Sequence, residues 1–205
     1  SPRNLSRIRP MSNLILASSS SYRKSLLHRL NIEFSCSSPD VDESALAGEP
    51  ATALAERLAL VKAQTVASKF PNTVVIGADQ VAELNGTILG KPGNHQQAVK
   101  QLTAQAGQSV LFHSGLAVVR IQADGEMQQH SLINTTEVTF RPLSKAQIEQ
   151  YLLTEQPYDC AGSFKAEGLG ISLFTAVNSN DPTSLIGLPL MDLCSVLPQF
   201  SINIY

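Results

Sequence analysis

The chain is poor in cysteine, in net charge and in long apolar runs, and each shortage excludes a class of protein. Its three cysteines, Cys36, Cys160 and Cys194, are an odd number and form no Cys-x-x-Cys pair. That usage suits a reducing compartment and gives no zinc framework. The four histidines, His28, His95, His113 and His130, are scattered and supply none either. Fifteen Lys+Arg against 17 Asp+Glu leave a formal net charge of -2, so no global positive field gathers DNA or RNA by counterion release. No apolar run approaches the roughly 20 residues of a membrane span. The expectation is a soluble, cytoplasmic protein with neither a nucleic-acid nor a membrane partner.

What is present is enough for a core. Of the 205 residues, 43% are hydrophobic, and a chain of this length buries about 70% of its extended surface on folding without needing a disulfide or structural metal. Residues 1–10, SPRNLSRIRP, carry three arginines and end in proline before Met11, with no apolar region following to make a signal peptide. They read as an N-terminal extension outside the fold, and 11–205 as one domain.

Periodicity gives the elements. Residues 13–18 read as a strand, 21–30 as a helix with Leu26, Leu27 and Leu30 at helical spacing, and 32–38 as a second strand. A helix is predicted over 51–70, with Leu54, Leu58, Val61 and Thr65 on one stripe and Pro71 as its stop. TVVIGA, 73–78, has the continuous apolar pattern of a strand buried on both faces, with Asp79 at its end. Residues 81–84 and 87–89 then form a hairpin about Asn85-Gly86. A helix over 94–106, strands near 109–122 and 127–140, a helix over 144–155 with Ser144 and Gln147 in capping-box spacing, and a closing helix complete the chain. The mixture predicts an α/β fold with a mixed sheet.

The serine cluster Ser18 to Ser21 with Arg23 falls where a strand hands over to a helix, so hydroxyls, free N–H groups and a guanidinium can converge on an anion. The same spacing also fits an ordinary N-cap beside a solvated arginine. Asp79, after so apolar a run, sits at the core edge where partial desolvation raises basicity, although a strand-end aspartate also caps turns. Asp42, Glu43 and Glu167 are further carboxylates, each alone a plain surface acid; together they are hard-oxygen ligands suited to Mg²⁺ or Mn²⁺. Lys62 lies beside the helix stripe and either snorkels or reaches a cleft. Lys91 in LGKPG and Lys165 in GSFKAEG lie in Gly/Pro-shaped loops. Three lysines and an arginine beside carboxylates suggest polyphosphate with a metal. No Walker A loop occurs, and Gly168-Leu169-Gly170 lacks the context of a dinucleotide motif.

Taken in order, LILASSSSYRKSLL, SPDVDES, ERLALVKA, VVIGADQV, NGTILGKP, VTFRPLS, YDCAGSFKAEGLGISLF and SLIGLPL strongly resemble the Maf family of nucleoside triphosphate pyrophosphatases, from about Leu14 to Leu197. The resemblance implies a mixed-sheet α/β fold with two lobes around a deep cleft, similar to the inosine triphosphatase group. It implies metal-assisted hydrolysis of a nucleoside triphosphate to the monophosphate and pyrophosphate, and a homodimer. It places the proton acceptor on Asp79 and the N-terminal phosphate-binding motif on Ser18, Ser20 and Arg23. Glu43, Lys62 and Lys91 match the remaining acidic and basic positions. Glu43 is assigned to metal, with Asp79, or to water; the lysines, Lys165 included, are assigned to phosphate charge.

The resemblance also implies that the family's specificity positions fall on Tyr22, Gln80 and Glu167. The branch acting on dTTP and UTP reads SPRR, ADT and a YGIQG-like run, where this chain has SSYRK, ADQ and FKAEG. It resembles instead the branch assigned to 7-methyl-GTP, although that branch often carries proline and tryptophan where this chain has Ser21 and Tyr22. N7-methylation makes guanine cationic, which favours an aromatic face and a carboxylate, and Tyr22 and Glu167 supply these. Gln80 offers a donor and an acceptor to the base. The alternatives are the same chemistry on dTTP or UTP, and a nucleotide-binding regulator linked to septum formation.

Overall fold

The computed structural model describes residues 13–205, so the expected extension, 1–10, lies outside the described residues. Seven strands form one mixed sheet in the order β2-β1-β3-β5-β6-β7, with β4 paired to β3. They are β1 (Leu14–Ala17), β2 (Ser35–Cys36), β3 (Val74–Leu84), β4 (Thr87–Leu89), β5 (Ser109–Ile121), β6 (Met127–Phe140) and β7 (Phe174–Asn178). β1 runs parallel to β2 and β3, and the other pairings are antiparallel. Helices are α1 (Ser21–His28), α2 (Ala51–Ala67), α3 (His95–Gln105), α4 (Lys145–Glu155) and α5 (Leu190–Val196). None of the described helices is long and apolar enough to cross a membrane.

Two strand expectations are corrected. The segments 73–78 and 81–84 are a single strand, because β5 offers an unbroken antiparallel partner from Val75 opposite Val119 to Glu83 opposite Leu111. Asp79 is therefore mid-strand, opposite Gly115, rather than at a strand end. The predicted strand over 32–38 shrinks to Ser35–Cys36, since its partner β1 has only four residues to offer. The edge strand β7 has four exposed residues in its five and no alternation to betray it. The hairpin turn is as expected, with Asn85 and Gly86 both at positive φ. The α4 capping box also forms, with Ser144 Oγ accepting from Gln147 N at 3.1 Å and Gln147 Oε1 accepting from Ser144 N at 2.9 Å.

Helix α2 sets the geometry that matters for function. Its buried face is Leu54, Ala55, Leu58, Ala59, Lys62, Ala63, Val66 and Ala67, so the expected stripe through Val61 and Thr65 is rotated toward the alanines. Small residues are required because the helix lies directly on the sheet. A Cβ on Gly77 would stand 2.1 Å from the Ala59 carbonyl oxygen, and one on Gly115 would stand 2.2 Å from that of Ala55. This close approach carries Lys62 onto the strand that bears Asp79.

Two cores flank the middle of β3 and β5. One contains Leu16, Leu27, Ile76, Ala78, Leu116, Leu188 and Phe200. The other packs Phe112, Phe140, Phe164 and Phe174 edge to face at 5.0–5.6 Å, with Ala82, Leu102 and Leu152 around them. Between Ala78 and Ala82 on β3 stand the polar Asp79 and Gln80, and between Phe112 and Leu116 on β5 stand His113 and Ser114. The expected cleft opens over β3, where Ala78, Asp79, Gln80 and Val81 line it.

Candidate active site

A cleft of about 930 Å³ is lined by Ser18, Ser20, Tyr22, Arg23, Glu43, Lys62, Asp79, Gln80, Lys91, Lys165 and Glu167. Every candidate site residue singled out in the sequence except Asp42 meets in this one space. Asp42, the neighbouring carboxylate, does not line it; its Oδ1 accepts from Ser44 N at 2.9 Å in an exposed turn.

The floor of the cleft is an ion triad. Lys62 Nζ lies 2.8 Å from Asp79 Oδ1 and 2.5 Å from Glu43 Oε1, so one ammonium bridges two carboxylates. Lys62 and Asp79 are buried at 9% and 8% exposure, deep enough for their charges to be felt. Burial raises the pKa of Asp79, and the adjacent Lys62 and Arg23 charges oppose that rise. Glu43 is shifted the other way, chiefly by its hydrogen bond from Lys62. Two carboxylates that diverge in basicity while sharing one cation form an acid-base arrangement.

The serine turn joins β1 to α1. Ser20 is the N-cap, its Oγ accepting from Arg23 N at 3.2 Å, and Ser18 Oγ accepts from Ser20 N at 3.1 Å. The N-cap reading thus holds for Ser20, while both serines still face the cleft. Arg23 is anchored by Nε donating to the Gly187 carbonyl at 2.8 Å. Burial lowers its pKa, and the Asp79 and Glu43 carboxylates oppose this. Lys91, exposed at the rim, follows Gly90, whose carbonyl accepts from Gln101 Nε2 at 2.9 Å.

Tyr22 stands at the mouth, 39% exposed. Its phenol pKa is raised first by burial, with the Lys165 charge opposing and the Glu167 charge adding, so α1 and the glycine-rich segment meet electrostatically here. An aromatic face with a carboxylate beside it is a fitting seat for a flat cation. Gln80 departs from expectation. Its amide nitrogen donates to the Leu185 carbonyl at 2.8 Å, with Ser184 O and Ser114 Oγ at 3.4 Å, so its donor half is committed to the protein.

Sequence reasoning missed the groups that hold these side chains. Arg57 grips Glu49 with two bonds, 2.7 and 2.9 Å, and donates to Ser44 O at 3.0 Å, tying the loop that carries Glu43 to α2. The turn behind Arg23 is a buried polar knot. Asp181 accepts from Thr183 N and Oγ1 and from Met191 N, and Ser114 Oγ donates to Ser184 O at 2.6 Å. The hydroxyl-rich DPTSLIGL run is the only sequence trace of it.

Among the described residues no group of three or more His, Cys, Asp or Glu could by itself hold a metal ion. Asp79 and Glu43 are two hard-oxygen donors on one side of the cleft. They fit a divalent cation that takes its remaining ligands from substrate and water, as Mg²⁺ commonly does.

Fold and cleft together define an α/β protein in which the Lys62, Asp79 and Glu43 ion triad shares one pocket with Arg23, Lys91 and Lys165. The Maf-like protein family model matches residues 13–200, and the chain belongs to that family. It is 53% identical over 194 residues to a 7-methyl-GTP pyrophosphatase of Xanthomonas axonopodis pv. citri, covering 95% of this chain and 100% of that one. It is 51% identical over 192 residues to the 7-methyl-GTP pyrophosphatase of a Polaromonas species, covering 94% and 86%. Among solved structures it is similar to a HAM1 protein from Coxiella burnetii, with TM-score 0.42, 17% identity, and 62% and 72% of the two chains covered.

Proposed function

We propose that the chain hydrolyses 7-methyl-GTP to 7-methyl-GMP and pyrophosphate. The observation that carries this is the joining of two unlike ends in one cleft: the Lys62-bridged carboxylates at the floor and Tyr22 with Glu167 at the mouth. The relatives above, named as 7-methyl-GTP pyrophosphatases, support the choice of base.

In this reading Asp79 orients a water molecule and takes its proton as the water oxygen attacks the α-phosphorus. The bond from that phosphorus to the bridging oxygen breaks, and pyrophosphate leaves. The elevated basicity of Asp79 suits the task, because a more basic carboxylate accepts the proton more readily. Arg23, Lys62 and Lys91 meet the negative charge of the phosphate oxygens, and the N–H groups and hydroxyls of the Ser18–Ser20 turn add uncharged donors, while Lys165, whose charge acts on Tyr22, stands with Glu167 at the mouth. A divalent cation, Mg²⁺ or Mn²⁺, would be held by Asp79 and Glu43 with substrate oxygens and would supply neutralisation of phosphate charge. At the mouth, Tyr22 stacks on the methylated ring and Glu167 faces its positive charge.

The test is a substrate panel of 7-methyl-GTP, GTP, dTTP, UTP and CTP with Mg²⁺ or Mn²⁺, quantifying monophosphate and pyrophosphate separately. The expected result is a kcat/KM for 7-methyl-GTP well above that for GTP, with pyrophosphate as co-product. Preference for dTTP or UTP would overturn the base assignment and leave the chemistry. Tight binding without turnover would replace the enzyme by a nucleotide-binding regulator.

A further inference from the structure

Lys165 and Glu167 stand on a glycine-rich segment that belongs to no long element, yet α4 holds that segment through two side chains, the half-buried Glu155 and the buried Tyr151. The Glu155 carboxylate accepts from Leu169 N at 2.9 Å through Oε2 and from Gly170 N at 3.1 Å through Oε1. Its Oε1 also accepts from the Tyr151 hydroxyl at 2.8 Å. That hydroxyl in turn accepts from Lys165 N at 3.0 Å. Three backbone N–H groups are thus joined through one carboxylate and one phenol, spanning both sides of Glu167. Burial pushes the Tyr151 phenol well above its ordinary pKa, so it stays protonated and keeps donating to Glu155. The fit is close: a Cβ on Gly168 would stand 2.6 Å from Glu155 Oε2.

Neither Tyr151 nor Glu155 lines the cleft, whereas Lys165 and Glu167 both do. The pair therefore acts on the substrate only through the segment it holds. We infer that Tyr151 and Glu155 are positioning residues for base discrimination: they fix Lys165 and Glu167 opposite Tyr22 and so set which base the mouth accepts, without touching the reacting phosphates. The inference rests on the assignment of the mouth to the base. It is separable from the identity of that base, because it concerns how sharply the site discriminates.

The experiment compares wild type, Glu155→Gln and Tyr151→Phe. For each, kcat and KM are measured on 7-methyl-GTP, GTP, UTP and dTTP, and inhibition by inorganic tripolyphosphate serves as a probe that has no base. Glu155→Gln keeps the shape and replaces one acceptor by a donor facing backbone N–H groups. It is expected to raise KM for the preferred substrate and shrink the ratio of best to worst kcat/KM by about tenfold, the usual scale for a lost charge-assisted bond. Its kcat on the preferred substrate should stay within about threefold, and tripolyphosphate inhibition should stay unchanged within about twofold. Tyr151→Phe keeps the buried ring, removes only the hydroxyl, and should move the same ratio in the same direction by a smaller factor. It carries the test if Glu155→Gln does not fold. A folded variant that keeps wild-type discrimination, or one that loses tripolyphosphate affinity as fast as nucleotide affinity, overturns the inference. Wild type showing no preference for 7-methyl-GTP overturns the proposed substrate instead, and the variants are then read against whichever base it does prefer.

Discussion

The two ends of the cleft are built from different materials. At the floor, Asp79 is mid-strand in β3 and Lys62 is mid-helix in α2, and the two are pressed together through Gly77 and Gly115. At the mouth, Lys165 and Glu167 ride on a segment between short 3-10 turns, held by side chains of α4. Catalytic groups need positions fixed within fractions of an ångström, and regular elements give that precision. A recognition surface carried on a loop can change its residues without disturbing the sheet. The contrast implies that substitutions at the floor should cost rate for every substrate, whereas substitutions at the mouth should alter the choice among substrates.

The strongest test of that division is Asp79→Asn. It should lower kcat on all nucleotides by about 10²- to 10⁴-fold, the range of general-base catalysis, while nucleotide binding persists in a direct titration. Substantial residual turnover would remove Asp79 from its role. Next in size is Lys62→Ala, which leaves two carboxylates facing each other without their shared cation. Because Lys62 opposes the rise in Asp79 pKa, the acid limb of the pH–rate profile should move to higher pH. A steady-state profile in which that limb stays fixed would show that Asp79 does not set it.

A structural counterpart is Gly77→Ala. The added methyl would collide with the Ala59 backbone, so about 3 kcal/mol or more of stability should be lost, seen as a lower denaturant midpoint. Smaller still is Tyr22→Leu. It should reduce the ratio of 7-methyl-GTP to GTP turnover by about 3- to 30-fold, as expected for losing a cation–π contact, and leave kcat on GTP nearly unchanged. An equal fall on both nucleotides would make Tyr22 a packing residue.

The pH dependence of stability sharpens the same comparison. A carboxyl whose native pKa is raised supports the fold fully below its unfolded pKa and loses that support as pH rises through the native value. Burial makes Asp79 such a group. Wild type should therefore lose stability relative to Asp79→Asn as pH is raised from below the ordinary aspartate range through the native pKa of Asp79, measured as the difference in unfolding midpoints. A difference that does not change with pH would show that Asp79 titrates normally.

Much of the floor was legible in the sequence because its residues stand in informative surroundings. A carboxylate at the end of TVVIGA and a lysine beside an apolar helical stripe both violate a local pattern, and a violated pattern draws notice to a site. Neither could reveal that the strand continues through Asp79 to Leu84, because that depends on β5, some 30 residues away. The rotation of the α2 face was hidden for a similar reason. Alanine reads as neutral in a hydrophobic pattern, and only Gly77 and Gly115 across the interface make it the buried side. Arg57, Glu49, Tyr151 and Glu155 read as ordinary helix or loop residues, since no local pattern marks the contacts they make across neighbouring segments. Beyond the buried Phe174, β7 has neither alternation nor burial, and its strand character comes from β6.

The bridging of Lys62 between Glu43 and Asp79 means that the cleft carries its own counterions. Around it, Arg23, Lys62, Lys91 and Lys165 face Asp79, Glu43 and Glu167, so a lining rich in charge is close to electrically balanced. An incoming triphosphate does not fall into a strongly positive well, and at Lys62 it meets a cation that already has two anionic partners. A site close to neutral attracts the nucleotide only weakly at long range, so nucleotide affinity should fall only shallowly as ionic strength rises.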